Sequence, residues 1–214
     1  VLTRMVKNID DRYYIGDQWQ YYCPENANWM SYGWIGGLMN TYPMLALGDA
    51  EHLQKVKNTF DFALPRAKGK SGYYYDVLGA DGKPFSRDAA ANHPGVGLTR
   101  KNGDILYWMV KQFMLLKEQE KANAIDPEWE TNVRLLADAF VNTWKKHGTW
   151  GNYLDVESGD IAVYNTTSGA MAVAGLALAS DYYNNPDYLK VACEAAKDYY
   201  DSFALVGFTS GGCG

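Results

Sequence analysis

The stretch Thr99 to Asp104 (TRKNGD) sets an arginine, a lysine, an asparagine and an aspartate at the head of a run with very few polar side chains, GDILYWMVKQFMLL. A carboxyl group drawn in beside such a run loses water. Burial disfavours its charged form and makes it a workable proton donor. Arg100 and Lys101 act in the opposite sense, because cations nearby keep a carboxylate ionised and suit it to be a base, a nucleophile or half of an ion pair. An aspartate in a first helical turn also simply complements the helix dipole. Asp104 is therefore the leading candidate for acid/base work, with Arg100 and Asn102 as donors on either side of it.

Other polar groups cluster in the segments between hydrophobic runs. Asn92 and His93 stand in AANHPGVGLTR, where His-Pro serves equally well as a turn device, and Asp17 and Glu25 flank QWQYYCPE. Glu25 is the candidate for a second carboxylate. Asp76-Val77 and Asp155-Val156 recur in GYYYDVLGADGKPF and GNYLDVESGDIAVY, 79 residues apart, and are expected to do the same structural job twice by accepting turn amides. Asp155, Glu157 and Asp160 offer oxygen ligands, but their spacing matches no complete calcium loop. Cys23, Cys193 and Cys213 lack metal-ligand spacing, and their odd count leaves at least one free or paired outside the fragment; neither a metal nor another cofactor is expected. Trp29, Tyr32 and Tyr164, the last followed by Asn165, combine flat apolar faces with polar neighbours.

These residues are placed by an alternation of two helix types. Pro127–Trp144 carries Trp129, Val133, Leu136, Ala137, Phe140 and Trp144 at helical spacing, with charges between them, which predicts a surface helix. Ala50–Leu64 and Pro186–Phe203 read the same way. Asp49, Asp126 and Asn185 stand at their N-caps, with Pro127 and Pro186 at the first helical position of two of them. Asn28–Leu47, Gly103–Leu116 and Ser168–Ala179 lack a polar face and predict helices covered on all sides, the first kinked or ended by Pro43. Pairing each buried helix with the amphipathic one after it gives hairpins over about 28–64, 103–144 and 168–203.

The two repeated glycine-containing segments predict β-hairpin tongues between the helix pairs. Links within a pair are short, whereas the returns run over 65–102 and 147–167, and loops that long are usually functional. All of them lead to the N-terminus of a buried helix. One end of the bundle therefore gathers loops, tongues and helix N-termini, and the site is expected there.

Composition narrows the class. Hydrophobic residues make up 47% of the 214, enough for a substantial core, and 17 tyrosines and 7 tryptophans leave rings for the surface. A net charge of −5 with no sizeable basic patch argues against nucleic acid. No uninterrupted apolar run is long enough to predict a membrane span.

The aromatic, glycine-rich WMSYGWIGG, the tongue GYYYDVLGADGKPF, the stretch HPGVGLTRKNGDILYWMVKQF and the ending GFTSGGCG, set among paired helices, resemble the six-hairpin glycosidases. The resemblance implies an all-α, partial α/α toroid with short β-tongues, in one domain over residues 1–214. It also implies a central pocket for a carbohydrate, aromatic sugar platforms and acidic catalysts, in a secreted or periplasmic protein. The function expected is glycoside hydrolysis of an oligo- or polysaccharide by Asp104, Glu25 and His93. Trp29, Tyr32, Asn92, Arg100, Asn102, Tyr164 and Asn165 would bind substrate. An alternative is a polysaccharide lyase, in which Asn92 and Arg100 neutralise a uronate carboxylate while His93 or Tyr164 moves the proton. A non-catalytic glycan-binding or scaffold role is the third. Three hairpins are half of six, so the chain reads as a fragment whose open edges are covered by further hairpins of the same protein or by another chain.

Overall fold

A computed structural model describes residues 1–15, 18–19, 29–31, 37–79, 81–85, 95–164 and 167–207. Among the described residues seven α-helices carry the fold: α1 (Leu2–Tyr13), α2 (Gly37–Leu47), α3 (Ala50–Arg66), α4 (Thr99–Glu118), α5 (Pro127–His147), α6 (Ala170–Tyr183) and α7 (Pro186–Tyr199). A π-helical turn, Tyr200–Ala204, continues α7. Helices α2, α4 and α6 lie side by side with α4 in the middle, and α3, α5 and α7 form a second row behind them. This is the expected arc of three antiparallel hairpins. Asp49, Asp126 and Asn185 accept from the backbone N–H groups of His52, Glu128 and Asp187, so the predicted caps form. The core fills the space between the rows with Phe60, Met109, Phe113, Val133, Leu136, Phe140 and Leu176, all fully enclosed.

Aromatic donors also join neighbouring hairpins through carboxylates. Trp129 Nε1 donates to Asp61 Oδ1 at 2.8 Å, linking α5 to α3. Tyr188 Oη donates to Asp138 Oδ1 at 2.5 Å and Trp144 Nε1 to Glu194 Oε2 at 3.2 Å, linking α5 to α7. Tyr182 of α6 reaches the carboxylate of Glu130. Each pairing satisfies a polar tip on an otherwise apolar side chain.

Strands differ from expectation in number and register. The stretch Asn28–Leu47 is not one helix: Trp29–Ser31 is a strand, β3, and α2 begins only at Gly37. β3 pairs antiparallel with β4 (Val77–Gly79), which pairs with β5 (Pro84–Phe85). Likewise β6 (Val96–Leu98) pairs with β7 (Tyr153–Asp155), and β7 with β8 (Ile161–Val163). Each tongue is thus a three-stranded sheet whose first strand comes from the segment before an inner helix. The ladder to a distant strand overrides the local pattern at Trp29–Ser31. A small hairpin, β1 (Tyr14–Ile15) with β2 (Gln18–Trp19), follows α1. Among the described residues every strand pair is antiparallel.

Pairing also corrects the repeat. Trp29 opposes Gly79 in the first sheet and Val96 opposes Asp155 in the second, so residues 79 and 155 correspond, 76 apart rather than 79. Asp76 is therefore the counterpart of Asn152, and Asp76 and Asp155 do different jobs. Pro43 lies inside α2 without ending it.

Burial raises the phenols of Tyr73, Tyr182, Tyr183, Tyr188 and Tyr199 above the ordinary tyrosine value, helped by Glu130 beside Tyr182 and by Asp138 beside Tyr188. The folded chain keeps these protons after the unfolded chain gives them up near about pH 10, so the stability they contribute is complete below that pH and lost above it. Melting curves followed by circular dichroism should show a midpoint that falls steeply between about pH 10 and about pH 11. A flat midpoint across that interval would contradict this account.

Candidate active site

The first turn of α4 is fixed by three backbone clasps. Asn102 Oδ1 accepts the N–H of Tyr74 at 2.7 Å, and its Nδ2 donates to the carbonyls of Tyr74 at 3.0 Å and Leu98 at 3.2 Å. Asp76 Oδ1 accepts the N–H of Leu98 at 2.6 Å. The N–H of Thr99 reaches the carbonyl of Asn152 at 2.9 Å, so both tongues hold the same turn. Such contact demands glycine at 97, where a Cβ would sit 2.3 Å from the Tyr74 oxygen. At 103 a Cβ would lie 2.7 Å from the amide nitrogen of Ala172, and glycine there lets α4 and α6 close on each other. Asn152, the counterpart of Asp76, accepts from the hydroxyl of Ser168 at 2.5 Å just ahead of α6.

Asp104 sits one turn further along. Its side chain is 3% exposed, with Arg100 Nε 3.3 Å from its Oδ1. Helical spacing puts Arg100, Asp104, Tyr107, Trp108, Lys111 and Leu115 on one side of α4, opposite the buried stripe of Ile105, Met109, Phe113 and Leu116. Apart from Asp104, every member of that side is only partly buried. The helix begins at Thr99, so Asp104 is its sixth residue and has left the first turn. The dipole effect falls off within that turn, and a capping role does not account for the position. A nearly dry carboxylate with a guanidinium partner, above a row of rings, can hold or exchange a proton with a bound molecule.

Several expected site residues stand elsewhere or are outside the described residues. Asn102 does not flank the carboxylate of Asp104; it is fully enclosed and spends its amide on Tyr74 and Leu98. Tyr164 lies after β8 with its ring 6.3 Å from that of His147, at the end of α5 in the back row. Trp29 pairs through its backbone with Gly79. Glu25, Tyr32, Asn92, His93 and Asn165 lie outside the described residues. Asp155 closes its own turn, accepting from the N–H groups of Glu157 and Ser158 at 2.9 and 2.7 Å, and Asp160 pairs with Lys146 at 2.5 Å. Among the described residues no cluster of three potential metal ligands occurs, and no helix is long and apolar enough to cross a membrane.

Four residues near Asp104 escaped the sequence reading: Tyr42, Tyr107, Trp108 and Lys111. Tyr42 and Tyr107 each meet the Trp108 ring edge to face, at 5.4 and 5.2 Å. The signal for Tyr107, Trp108 and Lys111 was their spacing of three, four and seven residues from Asp104, which marks a single helix side; Tyr42, on α2, had none.

No family model matches the sequence, and no curated protein matches it significantly. Solved structures do match. The unsaturated glucuronyl hydrolase of Bacillus sp. GL1, described as responsible for the degradation of glycosaminoglycan, superposes with a TM-score of 0.74 at 12% identity, over 94% of this chain and 55% of that one. A family 105 glycoside hydrolase of C. acetobutylicum gives 0.67 at 15% identity, over 94% and 56%. The chain has the fold of part of an α/α toroid of the six-hairpin type, three hairpins of it. The cellobiose 2-epimerase of Spirochaeta thermophila shares the toroid, with a TM-score of 0.60 at 11% identity over 93% and 54%. The chain spans about half the length of each of these structures. Within the toroid, α2, α4 and α6 are inner helices, and Asp104 lies near the N-terminus of the middle one.

Replacing Asn102 by Ala strands the amide and carbonyl of Tyr74 in a dry interior. The loss should be on the order of 3 kcal/mol in urea unfolding. Arg100→Ala, at a position 43% exposed, leaves both of those backbone groups paired and should cost less. Equal effects would show that the clasp does not hold the turn.

Proposed function

We propose that this chain forms part of a glycoside hydrolase that acts on an oligo- or polysaccharide outside the cytoplasm, with Asp104 as an acid/base carboxylate. The observation that carries this is the position of Asp104: nearly dry, beyond the first helical turn, and on the same side of an inner helix as Tyr107 and Trp108. The toroid supports the reading, because the structures it resembles include two glycoside hydrolases and a sugar epimerase.

The chemistry asks for two groups. Hydrolysis of a glycosidic bond uses one carboxyl to protonate the leaving oxygen and another to activate water or attack the anomeric carbon. Asp104 supplies one of them. Arg100 donates to its Oδ1, and Tyr107 and Trp108 offer faces on which the C–H side of a sugar ring stacks. Glu25 remains the candidate second carboxylate and His93 a further proton carrier. Trp29, Tyr32, Asn92, Tyr164 and Asn165 remain candidate sugar contacts on sequence grounds. Further hairpins, from the same protein or another chain, complete the pocket in this proposal.

Asp104→Asn keeps the shape of the side chain and removes its acid/base capacity. Turnover should fall about 100-fold or more with the circular dichroism spectrum unchanged. Release of reducing ends measures hydrolysis, and ultraviolet absorbance of unsaturated ends measures elimination. An Asp104→Asn protein of full activity would refute the assignment. Unsaturated product, together with inactivation by His93→Ala, would make the protein a polysaccharide lyase.

A further inference from the structure

Lys111 is the one cation on the inward side of α4 beyond Arg100, and among the described residues no acid meets it. Its Nζ lies 5.3 Å from the ring centre of Tyr107, 5.5 Å from Tyr42 and 5.6 Å from Trp108, and donates to Tyr107 Oη at 3.2 Å. Among the described residues no carboxylate pairs with it, although elsewhere lysines such as Lys7, Lys55, Lys145, Lys146 and Lys197 find Asp or Glu partners. A half-buried ammonium among rings loses hydration that cation–π attraction restores only in part. An apolar side chain would fill the same place at lower cost. The ammonium carries three N–H donors, and among the described residues Tyr107 engages one of them.

Resting on the hydrolase reading, we propose that Lys111 determines specificity by selecting glycans that carry a carboxylate or sulfate group. Tyr42, Tyr107 and Trp108 supply the stacking surface around the charge, and the ammonium supplies a charge-assisted hydrogen bond to the anion. Seven helical residues separate Lys111 from Asp104, a rise of about 10 Å. That distance exceeds one sugar ring, so Lys111 reads a sugar unit other than the one whose bond Asp104 attacks. Neutral glycans would leave the ammonium unpaired at the moment its water is displaced, and that penalty produces the discrimination.

The test is calorimetric titration of the protein with three oligosaccharides of matched length: a neutral galactan, an oligogalacturonide and a sulfated galactan. At least one acidic ligand should bind about tenfold or more tightly than the neutral one. The preference should shrink as salt rises, disappear in Lys111→Met and persist in Lys111→Arg. Preference for only one of the two acidic ligands supports the proposal and names the group recognised. Equal binding of neutral and acidic ligands by the unaltered protein overturns it, whatever the variants do, and so does an undiminished preference in folded Lys111→Met. Failure to bind any saccharide instead overturns the glycan-acting reading beneath it.

Discussion

Asn102 treats the backbone of Tyr74 as a neighbouring strand would, giving the amide N–H an acceptor and the carbonyl a donor in a place without water. Isolated, those two groups would each cost a buried hydrogen bond, so the tongue and the helix stand or fall together. Gly97 permits the approach, and Asp76 continues it by taking the N–H of Leu98. Because β6 runs straight into α4, whatever fixes Leu98 also fixes the rotation of the helix. The direction in which Asp104 points is thereby set by peptide groups some thirty residues earlier in the chain.

The back row depends on a different device. Helix α5 touches helices on both sides of it and carries Trp129 and Asp138 to opposite neighbours, one as donor and one as acceptor. Carboxylates on the outer helices thus receive from indole and phenol groups in the places described, where lysines at the same positions would leave the aromatic donors without acceptors. Packing and hydrogen bonding agree on one spacing between hairpins. An arc built from such links keeps its curvature without a continuous sheet.

Much of this was legible in the sequence, for physical reasons that also mark where legibility ended. The outer helices announce themselves by one-sided patterning and by caps at Asp49, Asp126 and Asn185; α4 and α6 do so by lacking a polar face. The strands at Trp29–Ser31 and Val96–Leu98 are three residues each and are stabilised by partners far along the chain, so no local pattern reveals them. The sequence repeat was visible but slipped by three residues, because the shared Asp-Val pairs are not the shared positions of the sheets. Starting α4 at Thr99 rather than at Gly103 moves Asp104 from a helix end into a second turn. It also rotates Asn102 into the core. The row from Asp104 to Lys111 was available as spacing, yet a helix judged apolar all round hides an inward side that carries charge.

Helix α6 gives the inner row an unequal partner. On the side opposite its buried stripe it presents Ala170, Val173, Ala174 and Ala177, short side chains without hydrogen-bonding groups. Two walls of such different grain divide the labour of recognition. In the proposed glycan site the α4 wall would interrogate what lies against it, while the α6 wall would ask only for room. Lengthening a methyl on α6 would then narrow the space beside α4 without disturbing Asp104, Tyr107, Trp108 or Lys111.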